Sequence, residues 1–305
     1  MGLGGSWSSE PHSSMHVDEA AAAVAAALEA GITLFDHADI YRGGKSEAVF
    51  GEVLANTPGL RERIRLQTKC GIRLNEQGLE THYDLSRVAI VERVNESLAR
   101  LRTDYVDVLM LHRPDPLMDP AEVASAVGQL MAEGKVRALG VSNMSGAQIE
   151  VLQDRLETPV VANQLEMSLL KRAWLESTVL VNHAEGADYI FPHGTVEHCV
   201  RHGITLQAYG ALARGLYTGA PAATPTDAEE ATAALVAKLA AEKNTTGESV
   251  LLGWLMKHPA GIAPVIGTAN PERIRACAGA ADVAAAMTRA EWYRLWVTAR
   301  GSNIP

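Results

Sequence analysis

Short apolar runs recur along the chain, and each ends on polar or small residues before a helix-like stretch begins. Residues 32–35, 64–68, 105–111, 136–141, 159–162, 204–208 and 263–266 read as buried strands, because they are compact, rich in Val, Ile and Leu, and bounded by turn residues. Helical patterns lie between them. Residues 17–30 are alanine-rich and stop at Gly31, Ser46-Glu47 opens a helix to residue 56, and Ser86 is placed to cap a long helix to residue 101. Asp119-Pro120 begins a helix that Gly134 stops, and Ser145 caps the next. Helices are expected at 173–181, 195–202, 228–243 and 248–257, with another from Asn270-Pro271 toward Gly279. Thr288 followed by Glu291 is a capping-box pattern for a terminal helix to residue 299.

This alternation implies a parallel sheet with helical crossovers. Seven strands are read directly, with residues 1–7 as the candidate for an eighth, and eight such units close into a (β/α)8 TIM barrel whose active site lies at the C-terminal strand ends. A doubly wound open sheet is the rival arrangement. No linker divides the chain, so residues 1–305 are read as one domain, with 165–203 as an unusually long connection.

With 47% hydrophobic and 21% charged residues, the composition is that of a soluble globular protein. The net charge of -9 disfavours nucleic acid and anionic membranes, which are held by excess Lys and Arg, and leaves a small molecule as the expected partner. No apolar run reaches the roughly 18 residues of a membrane span. Gly2 and Ser6 fit the loose myristoylation pattern, but the basic cluster that would support a lipid anchor is missing. Cys70, Cys199 and Cys277 lack CxxC spacing, which points to structural thiols in a reducing, cytoplasmic compartment. His198 and His202 stand at i and i+4, but spacing fixes no third ligand, so no metal site is expected.

The candidate chemistry begins at Asp36-His37-Ala38-Asp39-Ile40-Tyr41, an acid and a phenol just past a strand. A phenol becomes a useful proton donor when a nearby cation favours its phenolate. Lys69 ends the next strand and His112 follows the third, so a barrel would bring Asp36, Tyr41, Lys69 and His112 to one rim. Each residue alone has an ordinary surface or packing role; their shared position at strand ends sets them apart. Asp36 would keep Lys69 protonated, Lys69 would tune Tyr41, and His112 would orient a carbonyl oxygen or share in proton delivery. A Schiff base on Lys69, as in a barrel lyase, is the competing chemistry, and a neighbouring Asp36 opposes it.

These residues resemble the tetrad of the aldo-keto reductases, and the likeness covers nearly the whole chain. It is carried by Asp36 to Tyr41 with Ser46-Glu47, Thr68-Lys69-Cys70-Gly71, Leu111-His112-Arg113-Pro114-Asp115-Pro116, Gly134-Lys135-Val136-Arg137, Gly140-Val141-Ser142-Asn143, Asn163-Gln164, and Gly267-Thr268 with Pro271-Glu272-Arg273-Ile274. The wording is most similar to the bacterial, largely uncharacterised oxidoreductases of the family. The resemblance implies NAD(P)H-dependent reduction of an aldehyde or ketone, with Tyr41 as general acid. Ser142, Asn143 and Gln164 would then hold the nicotinamide carboxamide, and Tyr209 would stack on its ring. Gly210, Leu212, Arg214 and Gly215 would lie over the pyrophosphate, while Gly267, Thr268 and Arg273 would serve the adenosine phosphate. NADP(H) is expected, with NAD(H) also compatible because Arg273 stands without a basic neighbour near Gly267. Trp7 and Tyr83 are candidates for the substrate pocket, as is Trp174. Two departures are noted: the family's N-terminal hairpin and most of its first strand are missing, and 165–203 is longer than in relatives. A regulatory member that keeps the cofactor without turnover is a further alternative.

Overall fold

The computed structural model describes residues 2–305, which fall into two compact units: residues 2–164 with Thr268–Pro271, and Leu165–Gly267 with Glu272–Pro305. The N-terminal unit contains α1 (Ser14–Glu29), β1 (Leu34–Asp36), α2 (Lys45–Asn56), α3 (Leu60–Arg63), β2 (Arg65–Cys70), β3 (Ile72–Glu76), β4 (Leu79–Tyr83), α4 (Arg87–Leu101), β5 (Val108–Leu111), α5 (Pro120–Ala132), β6 (Leu139–Ser142), α6 (Gly146–Gln153) and the start of β7 (Val160–Glu166). β1, β2, β5, β6 and β7 form a parallel sheet in that order. The register sets Asp36 against Gln67, Cys70 against Leu111, and Ser142 against Gln164. The polar residues that end each apolar run therefore share one edge of the sheet.

The local chemistry explains the helix starts. Ser86 Oγ accepts from the Ala89 amide, Asp119 accepts from the Ala121 amide beside Pro120, and Ser145 forms a capping box with Gln148. Leu66, Leu109, Met110, Leu111 and Val141 are fully buried, as expected of strands covered on both faces. Gly51 lets α2 approach α4 closely, since a Cβ there would overlap the Arg100 carbonyl.

Two expectations need correction. Residues 2–7 contain no strand, and Met1 lies outside the described residues. Gly4 and Gly5 have φ of +86° and +75°, which breaks an extended run. Gly4 lies against the Lys45 backbone at the start of α2, where an added Cβ would come within 2.9 Å, and the Lys45 ammonium holds the residues that follow by donating to the carbonyls of Ser8 and Glu10, both at 2.9 Å. The second correction is an antiparallel hairpin, β3 and β4, in a stretch read without strands. Its turn places Asn75, Gln77 and Gly78 in left-handed backbone. One face alone is partly covered, so the apolar runs that mark the buried strands are absent there.

The C-terminal unit carries α7 (Ala173–Val179), α8 (Thr195–Arg201), β8 (Thr205–Tyr209), α9 (Asp227–Glu242), α10 (Gly247–Met256), β9 (Ala263–Pro264), α11 (Pro271–Arg275), α12 (Ala280–Ala286) and α13 (Arg289–Arg300). β8 and β9 pair in parallel. Trp254 and Trp292 stack at 5.2 Å, and each indole N–H donates to the other residue's carbonyl. Glu176, fully buried on α7, accepts from the Trp296 indole at 2.8 Å and from Arg300 Nε at 3.1 Å. α13 begins with the expected capping box of Thr288 and Glu291. Among the described residues, no helix is long and apolar enough to cross a membrane.

Candidate active site

Alternation along β2 puts Gln67 and Lys69 on the same face, and both reach Asp36 at the end of β1. Lys69 is completely buried. Its ammonium donates to Asp36 Oδ1 and Oδ2 at 2.7 and 2.6 Å, to the His37 carbonyl at 3.0 Å, and to the Tyr41 hydroxyl at 3.2 Å. Asp36 Oδ1 also accepts from Gln67 Nε2 at 2.6 Å and from Gln164 Nε2 at 3.3 Å. Burial alone would push the Asp36 carboxyl up, but the charge and hydrogen bonds of Lys69, with help from Gln67, hold it below its ordinary value. Burial alone would likewise neutralise Lys69, and Asp36 and Tyr41 together raise it instead.

The Tyr41 and His112 rings meet edge to face with centroids 5.8 Å apart. Burial, and then the positive charge of Lys69, lower His112 to about 3, so it is a neutral imidazole near pH 7. Its Nδ1 is buried and has no hydrogen-bond partner among the described residues. The backbone amide of His112 donates to the Cys70 carbonyl at 2.9 Å, which fixes where the ring leaves the sheet. The four residues read as a tetrad are thus brought together.

Ser142, Asn143 and Gln164 stand beside them at the ends of β6 and within β7. Ser142 Oγ donates to the Gln164 carbonyl at 2.9 Å, and the Asn143 side-chain amide donates to Ser142 Oγ at 2.8 Å. Asn143 has φ of +58°, a conformation that asparagine tolerates better than most residues. In the C-terminal unit, Tyr209 ends β8, and its carbonyl accepts from the Met167 amide at 3.2 Å. The following loop turns sharply, with Gly210, Ala213, Arg214 and Gly215 all in left-handed backbone and two internal 2.9 Å turn bonds, Ala213 to Gly210 and Gly215 to Leu212. Gly267 and Arg273 are exposed, and Thr268 Oγ1 accepts from the Asn270 amide at 3.1 Å.

The pocket candidates separate. Trp7 is 53% exposed under the Arg42 guanidinium, 5.5 Å from its centroid, and Tyr83 is 39% exposed at the end of β4. Trp174 is only 1% exposed and wedges edge-on against Trp254 and His258, so it is a packing residue of the C-terminal unit rather than a pocket wall.

Sequence reasoning missed several supporting groups. Gln67 escaped notice, although its i, i+2 spacing from Lys69 was a readable signal. Glu47, wholly buried, accepts from Thr68 Oγ1 at 2.5 Å and from Arg100 Nε at 2.7 Å, linking α2, β2 and α4 beneath the tetrad. Asp39 is 6% exposed, and neither carboxylate oxygen has a well-formed hydrogen bond among the described residues. Burial first, then the negative charge of Glu47, raise it to about 7.

A buried acid, ammonium and phenol with a neutral imidazole, all at the end of a parallel sheet, place this chain in the Aldo/keto reductase family, whose family profile matches residues 1–294. The chain belongs to that family of oxidoreductases. It is 37% identical over 284 residues to the uncharacterised oxidoreductase YcsN of Bacillus subtilis (strain 168), covering 91% of this chain and 87% of the relative. It is 36% identical over 288 residues to a 6-dehydroglucose reductase of Agrobacterium fabrum, covering 93% and 88%. A crystal structure of an aldo/keto reductase from Klebsiella pneumoniae in complex with NADP and acetate superposes with a TM-score of 0.67 at 25% identity, over 96% of this chain and 89% of that one. The fold class is accordingly the α/β, TIM-barrel class of the family, and the doubly wound rival is set aside.

Proposed function

We propose that this protein is an NAD(P)H-dependent carbonyl reductase that converts an aldehyde or ketone to the alcohol with Tyr41 as general acid. The observation that carries the reading is the Lys69 ammonium fixed between the Asp36 carboxylate and the Tyr41 hydroxyl. A reduced nicotinamide, when bound, supplies the hydride to the carbonyl carbon. Tyr41 supplies the proton, donating its O–H to the carbonyl oxygen, and the resulting phenolate sits beside a cation that stabilises it. Asp36 keeps that cation charged and stationary. Neutral His112 has one N–H to offer the substrate oxygen, and its burial keeps it from competing as a charge.

The residues present fit a nicotinamide dinucleotide. In the N-terminal unit, the amide side chains of Asn143 and Gln164 with Ser142 supply the mixed donors and acceptors that a carboxamide needs. In the C-terminal unit, Tyr209 offers a ring to stack on, and the left-handed turns of Gly210, Ala213, Arg214 and Gly215, with Leu212, suit a backbone that follows a pyrophosphate. Gly267, Thr268 and Arg273 are assigned to the adenosine phosphate. NADP(H) is favoured by the exposed Arg273 guanidinium and by the NADP complex of the Klebsiella relative, with NAD(H) as the comparison. The likeness to 6-dehydroglucose reductase adds sugar-derived carbonyls to the substrates worth trying. Three free, buried cysteines support a reducing, cytoplasmic setting.

A Schiff-base role for Lys69 is disfavoured by the same contacts, since an attacking amine must be neutral and Asp36 holds this one protonated. The assembled tetrad likewise speaks for turnover over a purely regulatory role. The test is a carbonyl panel followed by nicotinamide absorbance with NADPH and NADH. Tight NADPH binding without oxidation on any substrate would favour the regulatory reading, and borohydride trapping of a substrate on Lys69 would favour the lyase.

A further inference from the structure

Gln67 sits inside β2 with no solvent exposure, at a place where an apolar side chain would pack without the cost of burying an amide. That amide is committed to the tetrad. Gln67 lies opposite Asp36 in the strand register and donates to Asp36 Oδ1 at 2.6 Å, the same oxygen that accepts from Lys69 at 2.7 Å and from Gln164 at 3.3 Å. An ionised carboxylate only accepts, so Gln67 must turn its NH2 group toward it. The backbone repeats the connection. The His37 amide donates to the Gln67 carbonyl at 2.8 Å and the Asp39 amide to the Lys69 carbonyl at 3.0 Å, so the turn that leads to Tyr41 hangs from the same two residues of β2.

This arrangement has an electrostatic consequence. Lys69 bonds to Asp36 and to Tyr41 at once, so the more negative the carboxylate, the less of the ammonium's field is left for a phenolate at Tyr41. A neutral donor on Oδ1 offsets part of that negative charge without adding a charge of its own. It also fixes the carboxylate, and through it the ammonium, within reach of the Tyr41 hydroxyl. Lys69 and Asp36 bring the charges here, and the neighbouring His112 ring is neutral. We infer that Gln67 is a positioning residue of the reduction: its hydrogen bond to Asp36 Oδ1 keeps the carboxylate from drawing Lys69 away from Tyr41, and so sets the strength of the proton donor. The inference rests on the carbonyl-reductase reading and adds to it a residue that acts through Asp36.

Gln67→Met keeps an unbranched side chain of similar length and removes the donor. Two readouts follow Tyr41 in that variant: the pH dependence of kcat with NADPH, and ultraviolet phenolate absorbance against pH, taken as the difference from the same chain carrying Tyr41→Phe. Phenolate formation is expected to move up by about half a pH unit or more. A fall in kcat of ~10-fold is expected, the worth of one hydrogen bond to a charged group, with little change in the carbonyl KM or in NADPH affinity. Gln67→Glu is the conservative variant. While protonated, the introduced acid can donate to Asp36 as the amide does, so kcat is expected to be close to native at low pH and to fall away from it as that acid ionises, with the phenolate again forming at higher pH. A folded Gln67→Met whose phenolate forms at the native pH, or whose kcat is unchanged, overturns the inference while leaving carbonyl reduction standing. So does a loss confined to NADPH affinity, which would assign the amide to the cofactor. Should Gln67→Met not fold, Gln67→Glu decides: a constant ratio to native kcat across pH, or an unmoved phenolate, overturns the inference. If the native protein reduces no carbonyl, the reductase reading fails, and the phenolate titration alone decides: a raised midpoint upholds the link from Gln67 to Tyr41 and an unmoved one overturns it.

Discussion

Lys69 donates to both carboxylate oxygens of Asp36, at 2.7 and 2.6 Å, from a position with no solvent exposure. A buried ammonium is tolerable only with such a partner, so the pair joins stability to chemistry. Replacing Asp36 with Asn leaves an uncompensated charge and is expected to cost about 3–5 kcal/mol, read from the urea midpoint. Lys69→Met leaves the Asp36 carboxylate as the unpaired buried charge in its turn, and a comparable cost is expected. The pH window follows from the two shifts. Asp36 is depressed, so its contribution is present above the ordinary carboxylate value and fades as pH falls through its folded value. Lys69 is raised, so its contribution is complete below the ordinary lysine value and fades as pH rises through its folded value. The pair stabilises the fold between those limits.

Tyr41→Phe keeps the ring and its contact with His112 but removes the acidic proton. Loss of a general acid predicts a fall in kcat of about 10²–10⁴-fold. NADPH binding, followed by fluorescence quenching, is expected to stay nearly unchanged. Unchanged turnover would sink the proposed role of Tyr41.

Asp39 imposes the opposite pH dependence to Asp36. Its folded value is raised to about 7, so between about pH 4 and 7 the folded protein keeps a proton that the unfolded chain has released. Stability is therefore lost as pH rises through that window, by at most about 1.4 kcal/mol per pH unit. Urea titrations of Asp39→Asn from pH 4 to 8 should show that slope flattened relative to the native chain. Parallel curves would mean that the carboxyl finds solvent or a partner in solution.

Glu176 is the electrostatic centre of the C-terminal unit, with Trp296 and Arg300 on its two oxygens and Arg172 at 3.4 Å. Glu176→Gln removes the charge from a fully buried position and leaves the half-buried Arg172 and nearly buried Arg300 less well matched. The expected cost is about 3–5 kcal/mol, measured by denaturant unfolding with tryptophan fluorescence. A loss under about 1 kcal/mol would place this network in the class of weak surface pairs.

Much of the scaffold was legible because its signals are local. Ser86, Asp119, Ser145 and Thr288 cap helices where their spacing indicated, and each of the seven apolar runs overlaps one parallel strand of the described residues. The β3–β4 hairpin was not legible, since its side chains are mostly exposed or half-covered and carry no apolar run. Nor was the fate of residues 2–7, because Lys45 holds the chain just after them through the backbone carbonyls of Ser8 and Glu10, which have no sequence signature.

By itself, the amino-acid sequence determined that Asp36, Lys69 and His112 end or follow strands and that Tyr41 follows one of them closely, since periodicity and turn chemistry act over a few residues. Only the tertiary structure decided that the Lys69 ammonium touches both Asp36 and Tyr41, that Trp174 is core, and that Asp39 lies buried without a well-formed hydrogen bond. The reason is physical. Burial and pairing depend on which distant segments arrive at the same place, and no short stretch of chain encodes its own neighbours.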